Sequence, residues 1–217
     1  MRYDGSAGAL QWRLRAGRGE EDSASGANTI DRYLTTRQEA GAQAAWAFAP
    51  GHELLAAWDQ LDERVKTSGY TPPGSRDNDA LTVAYSGRFG PVQVQLDGRE
   101  DRNSVYGTHH TGRSGVRWAL TGDTSLRVLA ATTFRAPSFN ELYYPGYGVS
   151  TLKPETGRSL EAGVAQNLAG LQWQATAWRN RVNNLVAYSA DPANCPRGSA
   201  YAFGCAANIG LARLQGI

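Results

Sequence analysis

Apolar side chains recur at every second position along most of this chain, the signature of strands with two unlike faces. The first clear case runs from about Ala9 to Arg18: Leu10, Trp12, Leu14 and Ala16 share one face, opposite Gln11, Arg13, Arg15 and Gly17. A second, longer strand spans about 30 to 48, with Leu34, Ala40, Ala42, Ala44, Trp46 and Phe48 in phase. The return segment from Glu53 to Lys66 alternates poorly, and ELLAAWDQLDERV is the most helix-like stretch of the chain. The tight turn Ala49-Pro50-Gly51-His52 before it favours the second arm of a hairpin. Clean alternation returns at Leu81, Val83 and Tyr85, then at Val92, Val94 and Leu96 against Gln93, Gln95 and Asp97. It continues through Val116, Trp118 and Leu120 and through Leu126, Val128 and Ala130 to Phe134, then from Ser159 to Ala165. The strand opening Leu171, Trp173, Ala175, Ala177 changes phase near Arg179 to Val182, as a β-bulge would make it do. With a last strand running to Ile217, the pattern predicts about ten strands.

The connections alternate as strictly as the side chains. Turns of two to four residues sit at 49–52, 88–91, 121–124 and 167–170, and long polar segments such as GEEDSASGAN, SGYTPPGSRDND and DRNSVYGTHHTG lie between them. A Greek-key sandwich does not hold that rhythm, whereas an up-and-down membrane barrel has short turns at one end and long loops at the other. Aromatics agree: Trp46, Phe48, Phe89, Trp118 and Trp173 lie beside the short turns, and Tyr33, Tyr106 and Tyr188 near the long loops. Two belts at the two strand ends are what membrane–water interfaces select. The expected fold is all-β, an antiparallel up-and-down transmembrane β-barrel.

One stretch organises the rest, FRAPSFNELYYPGYGVSTLKPETGRSLEAG from Phe134 to Gly163. A strand ends where Pro137 removes a backbone donor, a long excursion rich in Tyr, Pro and Gly follows, and alternation resumes near Ser159. F-R-A-P, N-E-L-Y, Y-G and L-K-P-E-T with E-A-G behind it resemble the barrel signature of TonB-dependent outer-membrane receptors. ELYYPGYG directly before TLKPE is most similar to the vitamin B12 (cobalamin) transporter group. The resemblance implies a plugged barrel of about 22 strands, located in the bacterial outer membrane. Its partners would be outer-membrane lipid, the TonB system acting through an N-terminal plug, and cobalamin or an iron chelate as ligand. It also implies loop-bound calcium in the intact receptor, at positions that do not match any here. The implied function is energy-coupled uptake; a passive porin-like channel is the alternative, and a barrel enzyme stands behind both.

Charge is nearly balanced, formal net +2, so no basic footprint points to nucleic acid. No apolar run approaches the ~18 residues of a transmembrane helix, which a barrel would not show. Arg2, Tyr3, Asp4 and Gly5 begin no signal peptide, no plug or TonB box is recognisable, and Gln215-Gly216-Ile217 stops in mid-strand. Residues 1–217 are therefore expected to be an internal fragment: a partial barrel domain without its plug and its C-terminal strands.

Candidate chemistry is sparse. His109 and His110 are adjacent, and adjacent residues of an extended chain point to opposite sides, so they do not chelate as a pair. Glu20-Glu21-Asp22 and Asp77-Asn78-Asp79 are acidic clusters at expected loop tips, without the spacing of a calcium loop. No Ser, His or Asp spacing marks a catalytic constellation, so no catalytic or metal residue is assigned. Cys195 and Cys205 share one loop, and in an oxidising compartment a disulfide is their expected state. A zinc reading falls short of the needed ligands. Asn140, Tyr143, Tyr144 and Tyr147 are the candidate ligand-facing residues, because tyrosine gives large, rigid, amphipathic contact area. Their competing role is to pack the loop.

Overall fold

The computed structural model describes residues 1–25, 31–68, 74–198 and 201–217. Among them lies one eleven-stranded antiparallel sheet in which each strand pairs only with its sequence neighbours, β1 to β11 in order. The strands are β1 Arg2–Ala7, β2 Leu10–Ser25, β3 Asp31–Ala49, β4 His52–Thr67, β5 Ser75–Phe89 and β6 Val92–Asn103. They continue as β7 Gly107–Ala119, β8 Thr124–Arg135, β9 Glu155–Leu168, β10 Leu171–Ser189 and β11 Cys205–Gly216. A five-residue helix, α1 Phe139–Tyr143, stands between β8 and β9. β1 does not pair with β11, so the sheet is an open arc, the partial barrel that the pattern predicts.

The helix-like segment after His52 is a strand, β4, paired over nearly its whole length with β3 and β5. The pattern also shows why. The short turn fixes the register of the β3–β4 hairpin, and each arm then supplies the ladder partners of the other. At the turns the backbone takes conformations that suit glycine: Gly90 has φ 59 and Gly170 φ 84.

Four expectations are corrected. The strand count is eleven rather than about ten, because RYDGSA pairs with β2 from Arg2↔Arg15 to Ala7↔Leu10 although it has no apolar alternation. The acidic clusters are not loop tips: Glu20, Glu21 and Asp22 belong to β2, and Asp77, Asn78 and Asp79 to β5. His109 and His110 lie in β7, not in a loop. The change of phase in β10 is not a bulge, since pairing with β9 runs without a shift from Leu171↔Leu168 to Asn183↔Thr156. The common cause of the last three is strand length. β3 and β10 have 19 residues each, about 60 Å at ~3.3 Å per residue, against an apolar band of about 25 Å. Beyond that band the ladder continues while the side chains turn polar, and the hydrophobic signal disappears.

The faces follow from the register, because directly paired residues share a side. Leu10↔Trp46, Trp46↔Leu54, Leu54↔Tyr85 and Tyr85↔Leu96 run along one face. Val94↔Val116 and Val116↔Val128 extend it. Leu10, Leu14, Leu96, Val116, Leu126 and Val128 are all exposed, so this apolar face has no protein covering it. The opposite face carries Arg13, Arg15, Gln93, Gln95, Asp97 and a connected charge network. Arg15 reaches Asp59 at 2.6 Å, Arg99 reaches the other oxygen of Asp59 at 2.9 Å, and Arg99 also pairs with Asp101 at 3.0 Å. Gly41, between Arg15 and Asp59 in the ladder, makes this possible: a Cβ there would lie 2.7 Å from the Arg15 Nε. The aromatics at the short turns are exposed on the apolar side, for example Trp46, Phe89 and Trp118. The second belt is thinner than expected, since Tyr33 and Tyr106 are half-buried in loop packing and only Tyr188 is exposed.

Val94 and Gln95 test this assignment of faces. Reconstituted in a bilayer, the Val94→Arg protein is expected to lose about 2–4 kcal/mol of folding stability if the site lies near the midplane, and Gln95→Arg to lose little. Equal losses in denaturant unfolding of the two variants would reject it.

Candidate functional site

The organising stretch is an ordered structure at the long-loop end of β8 and β9. Ser138 caps α1: its hydroxyl accepts from the Glu141 N–H at 3.2 Å, and the Glu141 carboxylate accepts from the Ser138 N–H at 2.7 Å. This capping box satisfies two backbone donors that a helix start leaves open. Leu142, on the inner side of the turn, is 3% exposed and packs with Leu152, Val186 and Ala206, against which Tyr143, Tyr147 and Val149 also lie. This apolar cluster joins the loop to the upper ends of β10 and β11.

Polar contacts fasten both ends of the loop. The Arg135 guanidinium donates to Glu141 at 3.0 and 3.2 Å and also to Glu155, so one side chain holds carboxylates from α1 and from the start of β9. Glu155 accepts in addition from the Val186 N–H at 2.8 Å. Arg76 donates to the Pro137 carbonyl at 2.6 Å, pairs with Glu63 at 2.6 Å, and lies 5.0 Å from the Phe139 ring centre. Asn208 accepts from the Lys153 N–H at 2.8 Å and donates to the Lys153 and Asn184 carbonyls at 3.0 and 2.7 Å. Asn184, at φ 55, is the one backbone irregularity of β10 among the described residues. The Y-G pair has its own reason: a Cβ on Gly148 would lie 2.5 Å from the backbone nitrogens of Tyr143 and Tyr144.

The loop between β10 and β11 closes over this cluster. Cys195 and Cys205 are disulfide-bonded with Cα atoms 5.7 Å apart, and Cys205 is fully buried. Next to it, the Ala206 N–H donates to the Tyr147 carbonyl at 2.7 Å, and the Tyr201 hydroxyl donates to the Gly148 carbonyl at 2.9 Å.

The four candidate ligand-facing residues therefore share one short segment but differ in setting. Asn140 and Tyr144 are exposed, and the Tyr144 ring stacks on Tyr33 of β3 with centroids 6.1 Å apart. Tyr143 is half-buried beside Phe139, and Tyr147 packs on the apolar cluster. The pattern did not reveal Arg76, Arg135, Glu141 and Glu155 as a working set. Three of them stand inside the quoted motif, but their spacing has no period, and only the fold brings them together. His109 stacks on Phe134 with centroids 3.9 Å apart, while His110 lies 3.7 Å from Glu100. In the first acidic cluster Glu20 pairs with Arg18 and Asp22 with Arg32, and no cluster with metal-ligand geometry occurs among the described residues. A recess of about 520 Å³ lies at the other end of the polar face around Arg117, Ser125, Gln166 and Gln174, with Asp123 as its one carboxylate. It offers no paired acid and base.

Burial of Glu141 works against its charge, but the Arg135 and Ser138 hydrogen bonds outweigh it and hold the carboxyl below its usual range. Arg135 does the same, more directly, for Glu155. Depressed carboxyl values stabilise the folded loop fully above the ordinary carboxylate range of about 4.3, and that stabilisation is lost as pH falls through the lower folded values. Arg135→Ala is expected to remove about 1–2 kcal/mol from loop closure at neutral pH, discounted because Arg135 is partly exposed. Hydrogen exchange of the α1 amides should rise in this variant at pH 7, and in the parent only below about pH 4. Identical exchange in both at pH 7 would reject the clamp. The disulfide has a simpler check: non-reduced peptide mapping by mass spectrometry should recover the Cys195 and Cys205 peptides linked.

Against known proteins, a model of the TonB dependent receptor-like β-barrel family matches residues 2–217. The vitamin B12 transporter BtuB of Photobacterium profundum is 28% identical over 187 residues, which are 86% of this chain and 30% of that protein. The vitamin B12 transporter BtuB of Vibrio vulnificus is 29% identical over 176 residues, 79% of this chain and 28% of the relative. The chain thus spans less than a third of the length of these curated relatives. The crystal structure of the siderophore receptor PirA from Pseudomonas aeruginosa superposes with a TM-score of 0.78 at 16% identity, covering 98% of this chain and 41% of that one. The match over nearly the whole chain agrees with the strand order, the short-turn rhythm and the latched loop: this chain belongs to the TonB-dependent receptor-like β-barrel family, a family of bacterial outer-membrane receptors rather than enzymes.

Proposed function

We propose that these strands form part of the wall of an energy-coupled outer-membrane receptor that takes up cobalamin or a metal chelate. Asn140, Tyr143, Tyr144 and Tyr147 contribute to its ligand-facing mouth. The observation that carries this reading is the latched loop, which keeps an exposed tyrosine against a second ring at the long-loop end of the strands. A rigid aromatic surface loses little entropy on binding and suits a large, flat ligand such as a corrin ring or an iron chelate. Within the segment, the exposed Asn140 and Tyr144 are the contact residues, while Tyr143 and Tyr147 hold them from behind.

Two curated relatives are named vitamin B12 transporters, which favours cobalamin over an iron chelate. Import would be driven through a plug and the TonB system, with outer-membrane lipid against the apolar face.

Equilibrium binding to outer membranes containing the protein, with cyanocobalamin and a ferric catecholate chelate as separate probes, tests the reading. One of the two should bind, and Tyr144→Ala should weaken it by about 5–30-fold, the equivalent of 1–2 kcal/mol. Binding of neither probe, or unchanged binding by the variant, would overturn it.

A further inference from the structure

Four arginines on the apolar side of β9, β10 and β11 have no role in the latch or in the charge network of the polar face. Arg181 pairs directly with Arg158 of β9 on one side and with Arg213 of β11 on the other. Arg179 stands two residues nearer the short turn on the same face, between Leu160 and Gln215. All four are exposed, and none of their side chains forms a hydrogen bond or an ion pair among the described residues. Among the described residues no carboxylate shares their surroundings. The flanking residues on this face are Thr132, Thr156, Leu160, Ala177, Asn183 and Leu211. Of the nearest acids, Glu161 pairs with Trp178 and Leu129 on the opposite face, and Glu155 is held by Arg135.

Like charges directly opposite one another destabilise a ladder, so three guanidinium groups in line call for an anion from outside the chain. Their height suggests its source. Arg179 is nine residues past Gly170 (179 − 170) and Arg181 is eleven (181 − 170). At about 2.5 Å of climb per residue for a strand tilted near 40°, that puts them about 23–28 Å from the short turns, at the outer edge of a 25 Å apolar band. Exposed apolar surface continues below at Leu160 and above at Leu211 and Ile209. Three neighbouring strands span about 10 Å, enough for two phosphate groups and more than one requires. Guanidinium binds phosphate through paired, geometrically matched hydrogen bonds and remains charged at any physiological pH.

We propose that Arg158, Arg181 and Arg213, assisted by Arg179, form a binding site for the diphosphorylated glycolipid headgroup of the outer leaflet, on the outside of the barrel wall. The site lies on the opposite face of the sheet from the polar lumen side and relies only on the outer-membrane setting, so it stands or falls separately from the identity of the transported ligand.

The test uses the protein in neutral detergent, titrated separately with diphosphorylated lipid A, monophosphorylated lipid A and inorganic phosphate. Bound lipid is read by native mass spectrometry and melting by tryptophan fluorescence. The parent should bind the diphosphorylated form most tightly. The triple variant Arg158→Gln/Arg181→Gln/Arg213→Gln should bind it on the order of 100-fold more weakly, about fivefold for each arginine removed. Without lipid, the same variant should melt about 1–3 °C higher than the parent, because the like-charge row is gone. Arg117→Gln/Arg127→Gln, on the polar face, should leave lipid binding unchanged. If the triple variant does not fold, the single Arg181→Gln at the centre of the row should still show the fivefold loss. Lipid affinity within twofold of the parent in these variants overturns the proposal. So does inorganic phosphate competing as effectively as the lipid, which would mark a free-anion site.

Discussion

A backbone N–H or C=O facing hydrocarbon without a partner costs several kcal/mol, because no water is present to replace the missing bond. The unbroken ladder from β1 to β11 is the answer to that constraint, and most other features of the molecule follow from it. Sequential antiparallel pairing allows only turns and loops as connections. A period of two along each strand divides the side chains into an apolar and a polar face. With one face given to lipid, the charges gather on the other, where Arg15, Asp59, Arg99 and Asp101 satisfy one another between β2, β4 and β6.

The ladder also explains why the loop between β8 and β9 needs so much fastening. Past the apolar band the strands no longer have lipid to bury against, and a sheet facing water on both sides has no core of its own. The structure supplies one by folding α1 and the following turn onto Val186 and Ala206. Arg76 then ties the segment to β4 and β5 on one side and Arg135 ties it to β9 on the other through charge-assisted bonds, while the Asn208 amide ties it to β10 and β11 through neutral ones. The F-R-A-P, N-E-L-Y and K-P-E-T pieces are thus chiefly parts of a clamp. Pro137 is fully buried, Ser138 and Glu141 cap the helix, Leu142 and Leu152 fill the cluster, and Glu155 completes the pincer. The residues between them, Asn140 and Tyr144, are left at the surface by this arrangement.

Much of the architecture was legible in the sequence because its signal is local. Alternation at Val92–Leu96 identifies a strand and its two faces without reference to any other strand, and Gly90-Pro91 or Ala169-Gly170 sets a hairpin register within a few residues. The resemblance carried by the Phe134–Gly163 motif located the family, and the two cysteines were close enough in the chain to predict their bond. The polar ends of β2, β5 and β7 escaped because a strand with water on both faces needs no apolar period, and β1 escaped because RYDGSA carries no apolar alternation of its own.

What only the tertiary structure decided is whatever depends on register between separate strands or on the course of the loop. Nothing local links Arg135 to both Glu141 and Glu155, or Arg76 to Pro137 sixty-one residues away. Arg158, Arg181 and Arg213 are ordinary in their own segments and become a row only when β9, β10 and β11 align them. The sequence by itself determined which faces are wet and which are apolar, because side-chain direction alternates with each peptide unit. It could not determine which distant groups would meet, because that is fixed by the summed registers of all the intervening hairpins and by the packing of the loop above them.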